Sequence, residues 1–203
     1  EAKVTWTFKP LADLPEFTDV EIQVEEGKRA VVRRILFKGN EHVPRRDLLK
    51  VMTQKQSSWL SWMNNAGTYE PGSLLADRES IRKVFMDKGY LGATVGAPSF
   101  AYVSRKKIDI TFDVAEGPPY TLANWRIGGL TLFPSNEVSR GVVVLSGASA
   151  ALSAIESSAQ NIRDFYGSRG YIKTEVDPRI ALDTNAATAT VAYQVREGML
   201  AYI

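Results

Sequence analysis

The 203-residue chain has no cysteine, which excludes a disulfide framework, a thiol nucleophile and any thiolate metal site. It has one histidine, His42, so a multi-histidine zinc centre is excluded as well. Long apolar runs are missing. The longest aliphatic stretch is Val142 to Leu145, far short of the roughly 18 residues a helical membrane span needs. Charge of one sign is missing too: 25 Lys and Arg stand against 23 Asp and Glu, a near balance that argues against a dedicated nucleic-acid surface, which needs a concentrated basic face. No Gly-x-Ser-x-Gly elbow occurs, and no glycine-rich phosphate cradle follows a strand. No catalytic residue, metal site or cofactor is therefore expected. What remains is an ordinary folding composition, 44% hydrophobic and 24% charged, enough for one large or two small domains.

The chain repeats itself. Val20–Gly27, Ile110–Gly117 and Val191–Gly198 each alternate apolar and polar residues and end in Glu-Gly, the pattern of a strand with one buried face that stops at a turn. Upstream, Ile81–Tyr90 matches Ile162–Tyr171 at an offset of 81, in register down to the Glu-Gly pair. Leu74, Ile81, Val84 and Phe85 fall on one helical face, as do Ile155, Ala159, Ile162, Phe165 and Tyr166. Gly89 and Gly170 then stand where a helix ends in a left-handed cap. Each repeat opens with a strand, Val31–Lys38 or Leu122–Ile127, that runs into glycine. A first helix follows, with Leu48, Leu49 and Met52 on its apolar side in the earlier repeat and roughly Asn136 to Leu145 in the later.

The repeating unit is thus β-α-α-β-β. It predicts an α+β fold of two layers, a small three-stranded mixed sheet covered by two helices. Residues 1–27 read as the tail strands of a preceding unit, 28–117 and 118–198 as two full units, and 199–203 as the start of another. The connection between the helices is nine residues longer in the earlier repeat and carries Trp59, Leu60, Trp62 and Met63.

Phe37-Lys-Gly-Asn40 after a strand, Lys88-Gly-Tyr90 after a helix and Val114-Ala-Glu-Gly117 after a strand resemble the POTRA (polypeptide-transport-associated) family. The two-unit run resembles the periplasmic arm of outer-membrane β-barrel assembly factors of the BamA type. The earlier repeat is similar to the second domain of that arm and the later one to the third, although Gly128-Gly129 replaces the Gly-Asn turn. The resemblance implies a non-enzymatic periplasmic scaffold. Its partners would be unfolded outer-membrane proteins, accessory lipoproteins of the BamB kind, neighbouring POTRA domains and a membrane barrel in the parent chain, with no nucleic acid.

Proline points to a binding surface. The middle strand of each unit carries one, Pro98 or Pro178, and a residue without an N–H belongs on a sheet edge or at a bulge. An open edge offers N–H and C=O groups to an extended guest chain. The first candidate is Val176, Asp177, Pro178, Arg179, Ile180, Ala181, Leu182 and Asp183. The second is Ser99, Phe100, Ala101, Tyr102 and Val103. The plainer reading is that proline only protects both edges against aggregation. Trp59, Leu60, Trp62 and Met63 form a further candidate patch, against the plainer reading that they pack on their own domain. Competing functions are the soluble arm of a translocation-assembly or two-partner secretion transporter and, from another class, a tandem α+β nucleic-acid-binding module.

Overall fold

The computed structural model describes residues 3–11, 14–25, 30–57, 67–104 and 106–201. Period-two segments form strands and period-3.6 segments form helices. In chain order the strands and helices are β1 (Lys3–Leu11), β2 (Leu14–Glu25), β3 (Val31–Lys38), α1 (Arg45–Val51) and α2 (Ser73–Asp87). Then come β4 (Thr94–Val95), β5 (Ser99–Ser104), β6 (Lys107–Ala115), β7 (Thr121–Gly128), α3 (Ser135–Val138), α4 (Leu152–Gly167), β8 (Glu175–Asp183) and β9 (Thr188–Arg196). Two α+β repeats follow the β1–β2 hairpin. The sheet of the first has the order β3-β6-β4, with β5 also on β6; that of the second has the order β7-β9-β8. In the second, β7 runs parallel to β9 and β8 antiparallel to it, so the sheet is mixed and three-stranded as expected.

By contact density the chain forms two compact units. The first comprises Glu1–Ile35, Lys55–Tyr69 and Phe100–Ile110. Its hairpin pairs Trp6 with Ile22 and Phe8 with Val20, and these four side chains are exposed. Val32, Ile35, Ile108 and Ile110 are buried. Arg33 grips Asp109 through two bonds, Nε to Oδ1 at 2.8 Å and Nη2 to Oδ2. The guanidinium holds that carboxyl below the usual carboxylate range.

The second unit comprises Leu36–Gln54, Glu70–Ser99 and Thr111–Ile203. One face of α2 buries Leu74, Ile81 and Phe85. Asp77 on that face is also buried, and its carboxylate accepts the N–H groups of Thr53 at 2.5 Å and Gln54 at 2.9 Å. Those donors lie just beyond the end of α1, so one acid ties the two helices together. In the later repeat Ile155, Ile162 and Tyr166 of α4 pack on Val191, Tyr193 and Val195 of β9.

Both second helices end alike. Gly89 (φ +91°) and Gly170 (φ +88°) are left-handed, and the tyrosine that follows each donates its N–H to Phe85 O at 3.0 Å or Tyr166 O at 3.1 Å. This is the cap expected from the Lys-Gly-Tyr and Arg-Gly-Tyr motifs. The first helix of the later repeat, however, is shorter than its expected span. It comprises α3 and a 3-10 turn, Ser139–Gly141, and the chain is extended at Val142. A Cβ on Gly141 would lie 3.3 Å from Asn161 backbone. The Gly141 carbonyl is taken by Asn161 Nδ2 at 2.9 Å, and the Val143 N–H by Ser158 Oγ at 3.0 Å. Those bonds to α4, with β-branched residues next in line, end the helix.

Candidate functional site

The later sheet has one closed and one open edge. The outer side of β7 is covered by residues 147–150: Gly147 N–H bonds Leu122 O at 2.7 Å, Leu122 N–H bonds Ala148 O at 2.8 Å, and Ala150 N–H bonds Tyr120 O at 3.0 Å. At the other side, β8 pairs with β9 alone among the described residues. The earlier sheet follows the same plan. The outer side of β3 is covered by 57 and 67–69, with Val32 N–H on Gly67 O at 2.7 Å, Ser57 N–H on Val32 O at 2.8 Å and Tyr69 N–H on Ala30 O at 2.9 Å. β4 and β5 stand at its opposite edge.

The two prolines act differently because of parity. Alternate residues of a strand point their N–H and C=O groups to the same side. In the first repeat Gly96 N–H bonds Asp113 O on β6 at 2.8 Å, so residue 98 falls on the side that faces β6. Proline there has no N–H to give, and the edge strand is interrupted between β4 and β5. Gly96 corresponds to Asp177 at the repeat offset, so Val176, Pro178, Ile180 and Leu182 face away from β9. Pro178 falls on that open side, and β8 runs unbroken through it.

Beside this edge lies a groove of about 630 Å³, lined by Ala159, Gln160 and Arg163 of α4, by Pro178 of β8 and by Lys83 and Glu156. Lys83 Nζ and Glu156 Oε2 are 2.7 Å apart, and that bond pushes the lysine above its usual value. Arg163 reaches from α4 to the strand and donates Nη1 to Val176 O at 3.0 Å. Its Nε and Nη2 both bond Gln160 Oε1, at 3.1 and 2.8 Å. The start of the edge is therefore plugged twice, by Arg163 on the Val176 carbonyl and by the missing N–H of Pro178. The free edge runs from the Pro178 carbonyl through the N–H and C=O groups of Ile180 and Leu182.

Val176 to Asp183 thus lie on one strand, with Val176 buried, Pro178 and Ile180 half-buried and the rest exposed. Ser99 to Val103 lie on β5, all exposed, with Phe100 edge-on to Tyr69 at 5.6 Å. They belong to a different sheet and do not extend the first set. Trp59, Leu60, Trp62 and Met63 lie outside the described residues. His42 has its Nδ1 2.7 Å from Glu116 Oε2 and its ring stacked on Tyr90.

The acids of the two later Glu-Gly pairs, Glu116 and Glu197, have a role that the strand pattern did not reveal. Glu116 accepts the His42 N–H at 3.0 Å. Glu197 accepts the N–H groups of Thr131 and Leu132 at 3.0 Å, the Tyr166 hydroxyl at 2.6 Å and the Thr131 hydroxyl. Each clamps the turn after the opening strand of its repeat. Partial burial alone would raise Glu197, but these donors hold it at about 2; burial and the carboxylate together push the Tyr166 phenol up. Gly39 and Gly129 stand in these turns at φ +80° and +83°. A Cβ on either would come within 2.2 or 2.1 Å of a carbonyl oxygen, Val114 O or Val195 O. Gly129 therefore does the work of Gly39 without the asparagine. The recurrence of Glu before Gly at both strand ends was the available signal.

This two-fold α+β plan defines a tandem of POTRA units. The family model described as POTRA, surface antigen variable number repeat, matches residues 30–117 and 120–198, and the chain belongs to that family. Within it, the curated relatives include BamA, the outer membrane protein assembly factor, of Nitratidesulfovibrio vulgaris, 24% identical over 90% of this chain. BamA of Buchnera aphidicola is 26% identical over 79% of it. The chain spans 23% and 27% of those relatives' own lengths. Among solved structures, Haemophilus influenzae BamA POTRA domains 3 to 5 match with a TM-score of 0.68 and 25% identity, over 84% of this chain and 67% of that one. The chain is thus similar to the periplasmic POTRA region of outer-membrane assembly factors. No helix among the described residues is long and apolar enough to cross a membrane.

Proposed function

We propose that this chain, with repeats at 28–117 and 118–198, is part of the periplasmic arm of a BamA-type assembly factor. In this reading it is a non-enzymatic scaffold that takes up unfolded outer-membrane proteins, and accessory lipoproteins, by strand addition. The β8 edge, Val176 to Asp183, is the first site, and Ser99 to Val103 of β5 the second. One observation carries the reading: the opposite edge of each sheet is closed by the chain's own backbone, while β8 stays open beside a groove. Backbone pairing asks little of the guest's sequence, which suits a receptor for many precursors. The test is photo-crosslinking in the parent protein. A photoreactive residue at Leu182 should capture unfolded barrel precursor, and one at Leu75, which is the more solvent-exposed of the two and lies on α2, should not. Equal capture at both positions, or none at Leu182, refutes the assignment.

A further inference from the structure

The open edge of β8 ends at a guanidinium that still has hydrogen bonds to give. Arg163 donates Nη1 to Val176 O, and Nε and Nη2 to Gln160 Oε1. Gln160 in turn donates Nε2 to Asp164 Oδ1 at 2.7 Å, which keeps its amide oxygen toward the guanidinium. These bonds use three of the five N–H groups of an arginine. One on each Nη is left over, with no acceptor for it among the described residues. Two residues further along the same edge, Pro178 has no N–H to offer.

The earlier repeat is built otherwise. At the repeat offset of 81 the counterparts of Gln160, Arg163, Val176 and Pro178 are Glu79, Arg82, Val95 and Ala97. Ala97 keeps its N–H. Arg82 donates Nε to Ala93 O at 3.1 Å, two residues ahead of Val95, and its Nη1 lies 3.5 Å from Glu79 Oε2. Where the backbone donor is present, the guanidinium is bound elsewhere and paired with an acid. Where proline removes that donor, the guanidinium sits on the neighbouring carbonyl of the edge with a neutral partner.

We propose that Arg163 supplies the donor that Pro178 lacks and so sets the direction of the guest: an extended chain adds antiparallel to β8, with its C-terminal end at Arg163. This rests on the strand-addition reading above. In an antiparallel guest the residues opposite Leu182, Ile180 and Pro178 each turn an N–H and a C=O toward β8. The last of them gives its N–H to the Pro178 carbonyl. Its own carbonyl lies on the Val176 side and meets no backbone donor, a costly state for a polar group in a ladder. The spare N–H groups of Arg163 donate to that carbonyl, and their charge strengthens the bond. The next guest N–H on that side finds the Val176 oxygen taken, so the pairing stops. A parallel guest would start with its N–H on Pro178 O and its C=O on Ile180 N–H, and leave the guanidinium unused.

The test uses the 203-residue chain and a peptide of alternating apolar and polar residues, acetylated and amidated so that neither end is charged. A spin label at the C-terminal end of the peptide should broaden the amides of Val176, Asp177 and Arg163 most, and one at its N-terminal end those of Asp183 and Asn185. The reverse pattern means parallel addition and overturns the proposal while strand addition stands. Broadening away from β8 with both labels refutes strand addition and the proposal together. Arg163→Ala should weaken the peptide about 5- to 10-fold. Adding Pro178→Ala, which restores a backbone N–H, should recover most of that loss. Affinity that is unchanged or higher in Arg163→Ala shows that the guanidinium only plugs the edge, and overturns the proposal. A loss that Pro178→Ala does not rescue reports damaged packing, and overturns it too.

Discussion

Replacing Glu197 with Gln tests how the later repeat is held together. The carboxylate takes four donors, two backbone N–H groups and two hydroxyls. An amide offers one acceptor oxygen and turns an NH2 toward groups that themselves need acceptors. The folded-state value of about 2 against the ordinary 4.5 is a gap of roughly 2.5 pH units, or about 3.4 kcal/mol at most at ~1.4 kcal/mol per unit. Solvent reaches part of this carboxylate, which brings the expected loss in Glu197→Gln to about 2 kcal/mol at pH 7. Because the folded value lies below the unfolded one, the contribution is complete above about pH 4.5 and is lost as pH falls through about 2. Urea unfolding followed by circular dichroism, for both proteins at pH 7, 4.5 and 3, gives the difference directly. It should be about 2 kcal/mol at the first pH and shrink steadily at the lower two. A difference that stays constant with pH, or one below about 0.5 kcal/mol at pH 7, refutes the clamp.

Other expectations follow from the same geometry. Leu182→Pro, which removes a donor on the open side only, should leave the fold intact by circular dichroism and weaken binding of an extended peptide at least ~10-fold. Ala181→Pro, one residue away on the side facing β9, should cost about 2–3 kcal/mol in unfolding experiments. Gly129→Ala should lose at least about 2 kcal/mol in the same assay, since its Cβ has no room beside Val195 O and its φ is left-handed. The Lys83–Glu156 pair is half-exposed, so a double-mutant cycle should give a coupling of only about 0.3–1 kcal/mol, falling with added salt.

Much of the architecture was legible because repetition multiplies a weak signal. One Glu-Gly strand end or one Gly-Tyr helix end says little; the same two at a fixed offset define a unit, and both caps form where the glycines stand. The edge position of the middle strands was legible from Pro98 and Pro178, since a missing N–H is a backbone fact visible in the sequence. Their different consequences were not, because one residue of parity decides whether a proline breaks the ladder or blunts the edge. Gly141 and its valines signalled a weak helix, but the bonds from Asn161 and Ser158 that end it come from a helix distant in sequence. The clamps at Glu116 and Glu197 were hidden for the same reason: an exposed-looking acid finds its donors some 65 to 75 residues upstream. The plug on Val176 by Arg163 likewise exists only once α4 lies beside β8.

Strand addition at β8 can be followed residue by residue by NMR. The chain, labelled with 15N, is titrated with a ten-residue peptide of alternating apolar and polar residues taken from an outer-membrane barrel strand. Strand addition should produce amide shifts centred on Ile180 and Leu182, with slowed hydrogen exchange at those two N–H groups and little change at Val176. Shifts confined to β5 or to the exposed face of the β1–β2 hairpin, with Ile180 and Leu182 exchanging as before, would contradict it.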